Sequence, residues 1–157
     1  MSPASLHSLS DLHFSADMAA WLAAIVEDSS DAILSKTLDG TITSWNSGAE
    51  RLFGYSREEA VGRPISLIIP EDRLHEEADI VARLRLGERI DRFETVRCTR
   101  EAVSVHVEVT ISPLRSADGT IIGASTIARD ISDRLRHANE QALLLGEMRH
   151  RVKNLLS

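Results

Sequence analysis

The sequence predicts an α+β fold, and three observations carry that prediction. Two short strand-like runs flank Asp39-Gly40, a dipeptide suited to a tight hairpin turn. Val103, Val105, Val107, Val109 and Ile111 alternate with Ser104, His106, Glu108 and Thr110, the period of a half-buried strand. Between these strand regions lie several capped helix signals. Antiparallel strands at both ends with helices between them give one sheet, covered on one face and open on the other.

Each element has its own signal. Residues 1–14 are rich in Ser and His, show no clear period and read as loop. Ser15 reads as a helix N-cap with Asp17 in the first turn. Met18 to Val26 is apolar around most of a helix and must pack on something, for which a second copy is the natural partner. Residues 31–46, DAILSKTLDGTITSWN, make the hairpin. Asn46 caps a short helix closed by Gly54, and Ser56 with Glu59 has capping-box spacing for another turn ended by Gly62. Pro70 opens a longer helix whose Leu74, Ala78, Val81 and Leu84 recur at helical spacing, closed by Gly87. Three strands follow, over 91–99, 102–114 and 120–131, the last two joined by a turn at Asp118-Gly119. From Ile131 the pattern is helical to the end. Ile131, Leu135, Ala138, Ala142, Leu145, Val152 and Leu156 form a heptad seam, with Arg149 its one polar member. A stripe of that kind implies a coiled-coil homodimer. The organisation is therefore an N-terminal segment and helix over 1–30, an α+β domain over 31–131, and a coiled-coil helix over 132–157.

Composition narrows the function classes. The 157 residues carry a formal net charge of -6, which disfavours nucleic acid and anionic membranes as partners. The longest apolar run, Met18 to Val26, is nine residues, against the roughly twenty a bilayer requires. With no signal-peptide pattern and a single cysteine, Cys98, the sequence reads as cytoplasmic. Cys98 lies on a strand and reads as a small packed hydrophobe. His106 has no second ligand near it in sequence, so no metal site is read.

The runs TITSWNSGAERLFGYSREEAVGRPISLIIPEDR, FETVRCTREAVSVHVEVTISPL and ARDISDR make residues 31–131 resemble a PAS domain. The resemblance implies a five-stranded antiparallel sheet in the order 2-1-5-4-3, helices enclosing a pocket, and a sensory role. Asp130-Ile131-Ser132 matches the Asp-Ile-Thr element that ends many PAS domains, with Ser for Thr, and is the expected relay from sheet to helix. One departure is local: Glu101-Ala102 replaces the usual polar-Gly turn between the third and fourth strands.

The closing LLLGEMRHRVKNLLS resembles the H-box of bacterial histidine kinases of the HWE and related His-Arg-x-Lys-Asn types. That resemblance implies phosphorylation of His150 from ATP and transfer to an Asp of a response regulator, with Arg151, Lys153 and Asn154 completing the box. With Leu135, Ala142 and Arg149 at a positions, His150 falls at b, beside the seam and toward solvent. An imidazole is a good nucleophile near neutral pH, and Arg151 and Lys153 suit phosphate oxygens. Where many histidine kinases have an acidic residue after the His, this chain has Arg151, so no base is assigned. Nothing in the chain resembles an ATP site. It reads as the sensory part of a longer kinase, meeting ATP only through a separate catalytic domain.

The expected pocket lining is Leu52, Phe53, Ile65 and Ile69 with Leu74, Ala78, Val81 and Ile127. Its occupant is unspecified: nothing, or an unknown small molecule. Ile65 stands where blue-light-sensing PAS domains carry the flavin-reactive Cys, which argues against that photochemistry. His75 stands near the iron-ligating His of oxygen-sensing haem PAS kinases, and Phe93, beside Arg92, where those sensors place a gas-contacting Arg. A haem-based gas sensor is therefore one alternative, and a non-catalytic PAS dimerisation or adaptor module is the other.

Overall fold

The computed structural model describes the backbone of residues 4–156 and the side chains of residues 15–156. Helix α1 spans Ala4–Glu27, so it begins well before Ser15 and the loop expected over residues 4–14 is helical. No Gly or Pro interrupts that stretch, which leaves nothing to stop the helix once formed. The expectation for residues 1–3 lies outside the described residues.

Strand β1, Ala32–Thr37, turns at Asp39-Gly40 into β2, Ile42–Trp45. Gly40 sits at φ +92°, a conformation that glycine adopts without a Cβ clash. Helix α2, Ser47–Phe53, is capped by Asn46, whose Oδ1 accepts from the Ala49 amide. Helix α3, Arg57–Ala60, carries the reciprocal Ser56–Glu59 capping box. Two 3-10 turns, Ile65–Ile68 and Glu71–Arg73, lead into α4, His75–Arg85. The helix expected from Pro70 thus starts as a tight turn and is shorter than the sequence suggests. Strands β3, Ile90–Cys98, β4, Ser104–Arg115, and β5, Ile121–Asp130, complete the sheet, and α5, Ser132–Leu155, leaves from its end.

All strand pairs are antiparallel, in the order β2-β1-β5-β4-β3. The α+β class and the strand order both match expectation. The inner face, built from Ala32, Leu34, Val107, Val109, Ile111, Ala124 and Ala128, packs under α2, α4 and the turns, where Phe53, Ile65, Ile68, Ile80 and Leu84 close the core. Trp45 and Phe53 meet as tilted rings 5.5 Å apart, and the Trp45 indole N–H donates to the Tyr55 carbonyl at 3.0 Å.

Asn46 is a buried junction between α1, the sheet and α2. It accepts from the Ile33 and Ala49 amides at 2.8 Å each, and donates to the Val26 and Asp31 carbonyls at 2.7 and 3.0 Å. Its full complement of four bonds is satisfied in the interior, where an orphaned amide would cost one to a few kcal/mol, roughly. Gly48 serves the same junction: a Cβ there would fall 2.2 Å from the Asp31 carbonyl oxygen, so α2 can lie this close only without a side chain.

The β3–β4 turn shows the consequence of its missing glycine. Ala102 takes φ +61°, with its amide donating to Thr99 at 2.9 Å. An L-residue with a Cβ pays roughly 1–2 kcal/mol there. Ala102→Gly is expected to raise stability by about 0.5–1 kcal/mol, the relieved strain less the added freedom of the unfolded chain. Urea denaturation would register this as a higher midpoint at unchanged slope, and a lowered midpoint would contradict it.

Candidate functional site

The site begins with three inward positions that carry charge. On β1, Leu34 faces the core, so Lys36 two residues on faces it too, and only 3% of it is exposed. On β3, Thr95 and Arg97 share the inward face and are equally buried. On α4 the inward stripe is Glu76, Ile80 and Leu84, one turn apart each.

These groups pair across the helix–sheet interface. Glu76 accepts from Arg97 Nη1 at 2.9 Å, from Thr95 Oγ1 at 2.8 Å and from Arg73 Nη1 at 3.1 Å. Arg97 Nη1 also reaches the Val96 carbonyl at 2.9 Å. One position further on, Glu77 forms an ion pair with Lys36 Nζ. Every buried side-chain nitrogen and oxygen among the described residues has a partner. Burial opposes the charge of Glu76 but is outweighed by its bonds from Arg97, Thr95 and Arg73, so the carboxyl titrates below its ordinary range. Burial likewise pulls the Lys36 ammonium below the usual lysine range, against the attraction of Glu77.

Beside these pairs lies a cavity of about 20 Å³ lined by Leu34, Lys36, Phe53, Ile65, Ile68, Ile69, Glu77, Ile80, Arg97, Val109, Ile111, Thr126 and Ala128. That is room for about one water, against the roughly 300–1,000 Å³ of ligand pockets. The lining is mostly apolar, broken by Thr126, Glu77 and two cations, each already holding a carboxylate. Both cations are thus already balanced, Lys36 by Glu77 and Arg97 by Glu76.

The sequence-expected pocket residues divide. Phe53, Ile65 and Ile69 line the cavity. Leu52 and Phe93 are half-buried against the core. Leu74, Ala78 and Val81 face outward, lining a shallow surface groove with Leu38 and Arg85. The expected inward stripe of α4 is thus rotated, because Glu76 has inward partners that outweigh the preference of Leu74 for burial. Ile127 is a correction of another kind: it points to the opposite face of the sheet beside Thr110 and Arg129 and is 43% exposed, while its neighbours Thr126 and Ala128 face in. His75 is exposed on α4. With that imidazole outside and so small a cavity inside, the residues do not fit a haem. Cys98 is half-buried, and burial pushes its thiol pKa up. Among the described residues no group of His, Cys, Asp and Glu is arranged to hold a metal ion.

Lys36, Glu76, Glu77, Thr95, Arg97 and Thr126 are the site residues that sequence reasoning missed. The signal was present: strand alternation from Leu34 and Phe93 points Lys36 and Arg97 inward, and the spacing from Leu84 and Ile80 points Glu76 inward. Charge alone argued for solvent.

At the other end of the molecule, Asp130 Oδ1 accepts from the Ser132 amide at 2.8 Å. Ile131 is buried, and its amide donates to the His106 carbonyl at 3.0 Å. Helix α5 then runs unbroken to Leu155 with Arg149, His150, Arg151, Lys153 and Asn154 exposed. Its apolar residues are exposed too, among them Leu145, Met148 and Val152. Leu143, Leu144 and Leu155 lie outside the expected seam, so the apolar surface is wider than a strict heptad stripe. Trp21, Leu22 and Ile25 of α1 are exposed in the same way. No helix among the described residues is long and apolar enough to cross a membrane.

A family model for the PAS fold matches residues 21–131. The chain is 27% identical over 142 residues to the signal transduction histidine-protein kinase AtoS of Escherichia coli, covering 85% of this chain and 23% of that protein. It therefore spans less than a quarter of that relative's length. The crystal structure of a PAS domain from Colwellia psychrerythraea superposes with a TM-score of 0.67 at 26% identity, over 74% of this chain and 98% of that one. A domain of a sensory box sensor histidine kinase/response regulator from Geobacter sulfurreducens superposes with a TM-score of 0.62 at 25% identity, over 76% and 96%.

Two outcomes test the buried charges. Glu77→Leu leaves the Lys36 ammonium buried without its partner and is expected to cost about 3 kcal/mol, whereas Lys36→Met with Glu77→Leu should be near neutral. Chemical denaturation of both variants decides, and equal losses would contradict the pairing. For Glu76 the native carboxyl holds its proton more weakly than the unfolded chain, whose value lies near 4.5. Its contribution is complete above that value and lost as pH falls through the lower native one. Glu76→Gln should destabilise at neutral pH by about 3 kcal/mol and flatten the acid limb of the stability–pH curve. An acid limb as steep as that of the wild type would assign the loss to other carboxylates.

Proposed function

The chain belongs to the PAS family, and from that premise we propose that it is the sensory region of a two-component histidine kinase of the HWE-related type, with His150 as phosphoacceptor. One observation carries the reading: a single uninterrupted helix, α5, joins the buried Ile131 at the sheet end to an exposed His150 within the His-Arg-x-Lys-Asn box. His150 is the nineteenth residue after Ile131, about 28 Å along the helix at 1.5 Å per residue. A rigid rod of that length carries a change at the sheet to the imidazole. The similarity to a histidine-protein kinase over 142 residues supports the same reading.

In this reading a catalytic domain brings ATP to α5. The His150 imidazole nitrogen attacks the γ-phosphoryl group and ADP leaves. The phosphoryl group then passes to an aspartate of a response regulator. Arg151 and Lys153 hold phosphate oxygens, the first by a two-pronged contact and the second as a point charge. A homodimer through α1 and α5 covers the apolar side chains both helices expose, and Asp130, Ile131 and Ser132 form the joint at which the sheet steers α5. A signal at this joint alters His150 only if it favours one arrangement of the helix pair over another. The exposed apolar faces also suit a PAS module that only dimerises, and phosphotransfer separates the two readings.

With the ATP-binding domain of such a kinase and labelled ATP supplied, the wild-type chain should take up acid-labile label, and His150→Ala should fall to background. Label that persists in His150→Ala, or none in the wild type, would leave the dimerisation module as the function.

A further inference from the structure

One rung of charge crosses the outer face of the sheet. Glu94 on β3 lies directly opposite Glu108 on β4, and Glu108 directly opposite Arg129 on β5. Arg129 is in turn held by Asp31, just before β1, through Nη2–Oδ2 at 3.2 Å and Nε–Oδ1 at 3.4 Å. From β1 outward the charges read negative, positive, negative, negative. Like charges facing each other across antiparallel strands destabilise a sheet, and the one arginine within this rung, Arg129, is bonded to Asp31 and attracts Glu108 but no ion pair joins it to Glu94. Arg89 nearby faces Asp91 at 3.9 Å.

The missing cation comes from α5. Arg134, third residue of that helix, contacts Glu94 Oε1 through Nη2 and Glu108 Oε2 through Nη1 at 3.5 Å. A guanidinium here gains nothing from the helix itself, because the first turn of a helix favours anions. The preceding Asp133 follows that rule and pairs forward with Arg136 at 3.1 Å. The position of Arg134 answers to the sheet.

We propose that Arg134, Glu94 and Glu108 form an electrostatic latch. The unbalanced pair of carboxylates on β3 and β4 holds the first turn of α5 against the sheet, and Arg134 is their shared counter-ion. Because the two carboxylates belong to adjacent strands, the latch reads the register between β3 and β4 and sets how firmly α5 is seated. Its exposure makes it responsive to salt, since water and ions reach all three side chains. That this seating governs His150 rests on the phosphotransfer reading, whereas the latch belongs to the chain alone.

Amide hydrogen exchange on the full 157-residue chain tests it, read at residues 133–138 with the β4 and β5 amides as a control for global folding. Arg134→Glu is expected to accelerate exchange there roughly five- to tenfold, although a glutamate in this turn would by itself favour the helix. Adding Glu94→Arg should return the rate to within about twofold of wild type, as the opposite-sign pair is restored. In wild type about 1 M salt should also accelerate exchange, and in Arg134→Glu it should not. Arg134→Gln removes the charge alone and gives the same direction should the reversal disturb the fold. Unchanged exchange in the Arg134 variants, or acceleration that Glu94→Arg fails to reverse, would overturn the latch. Neither result touches the labelling of His150, and failure of that labelling leaves the latch intact.

Discussion

The contact of Glu76 with Arg97 and Thr95 decides more of this molecule than any other. A carboxylate facing the interior is unfavourable unless its oxygens are met, and here a guanidinium and a hydroxyl from β3 meet them while Arg73 closes the outer side. Satisfying Glu76 fixes the rotation of α4 about its axis. That rotation brings Ile80 and Leu84 into the core, turns Leu74, Ala78 and Val81 outward, and sets Glu77 above Lys36. The interior that remains has room for about one water and is polar on one side. Its chemistry is that of held anions, and it leaves a haem no place.

The two terminal helices are joined to the domain by polar contacts. Helix α1 ends at Glu27 against Asn46, which donates to the Val26 carbonyl and at the same time holds β1 and caps α2. Helix α5 begins at Ile131, buried and bonded to β4, with Arg134 over the carboxylates of β3 and β4. Apolar packing within the domain is thus separated from the apolar surfaces the helices keep exposed. In the proposed relay, a change in the sheet reaches α5 through this short polar joint, the kind of connection that two packing states can reset at small cost. Beyond that joint a single helix, α5, continues past His150 to Leu155.

Strand alternation, the Asp39-Gly40 turn, the Asn46 and Ser56 caps and the closing helix all rest on contacts a few residues apart, so the chain displays them directly. The His150-Arg151-x-Lys153-Asn154 run is equally local, since its distinctive residues are neighbours. The phase of α4 was not legible, because Glu76 is turned inward by partners 19 and 21 residues away on another element. Read alone, the helix gives its inner face to Leu74. The outward turn of Ile127 is hidden for a related reason: β5 is apolar on both faces near its end, and alternation cannot say which of Ile127 and Ala128 faces in until the register with β1 is fixed. The true start of α1 at Ala4 is hidden in the sequence because Ser15, a good cap residue, lies inside a stretch with no strong period.

What the sequence determined by itself is whatever rests on local spacing: the α+β class, the antiparallel strands, the capped helices, and a histidine in a basic box at the end of a long helix. Only the tertiary structure decided which charges are buried, how little room they leave, and that a helix arginine balances two facing carboxylates on the sheet. Those are matters of long-range pairing. A charged side chain goes to solvent or to a partner according to what the fold places across from it, and no window along the chain contains that partner.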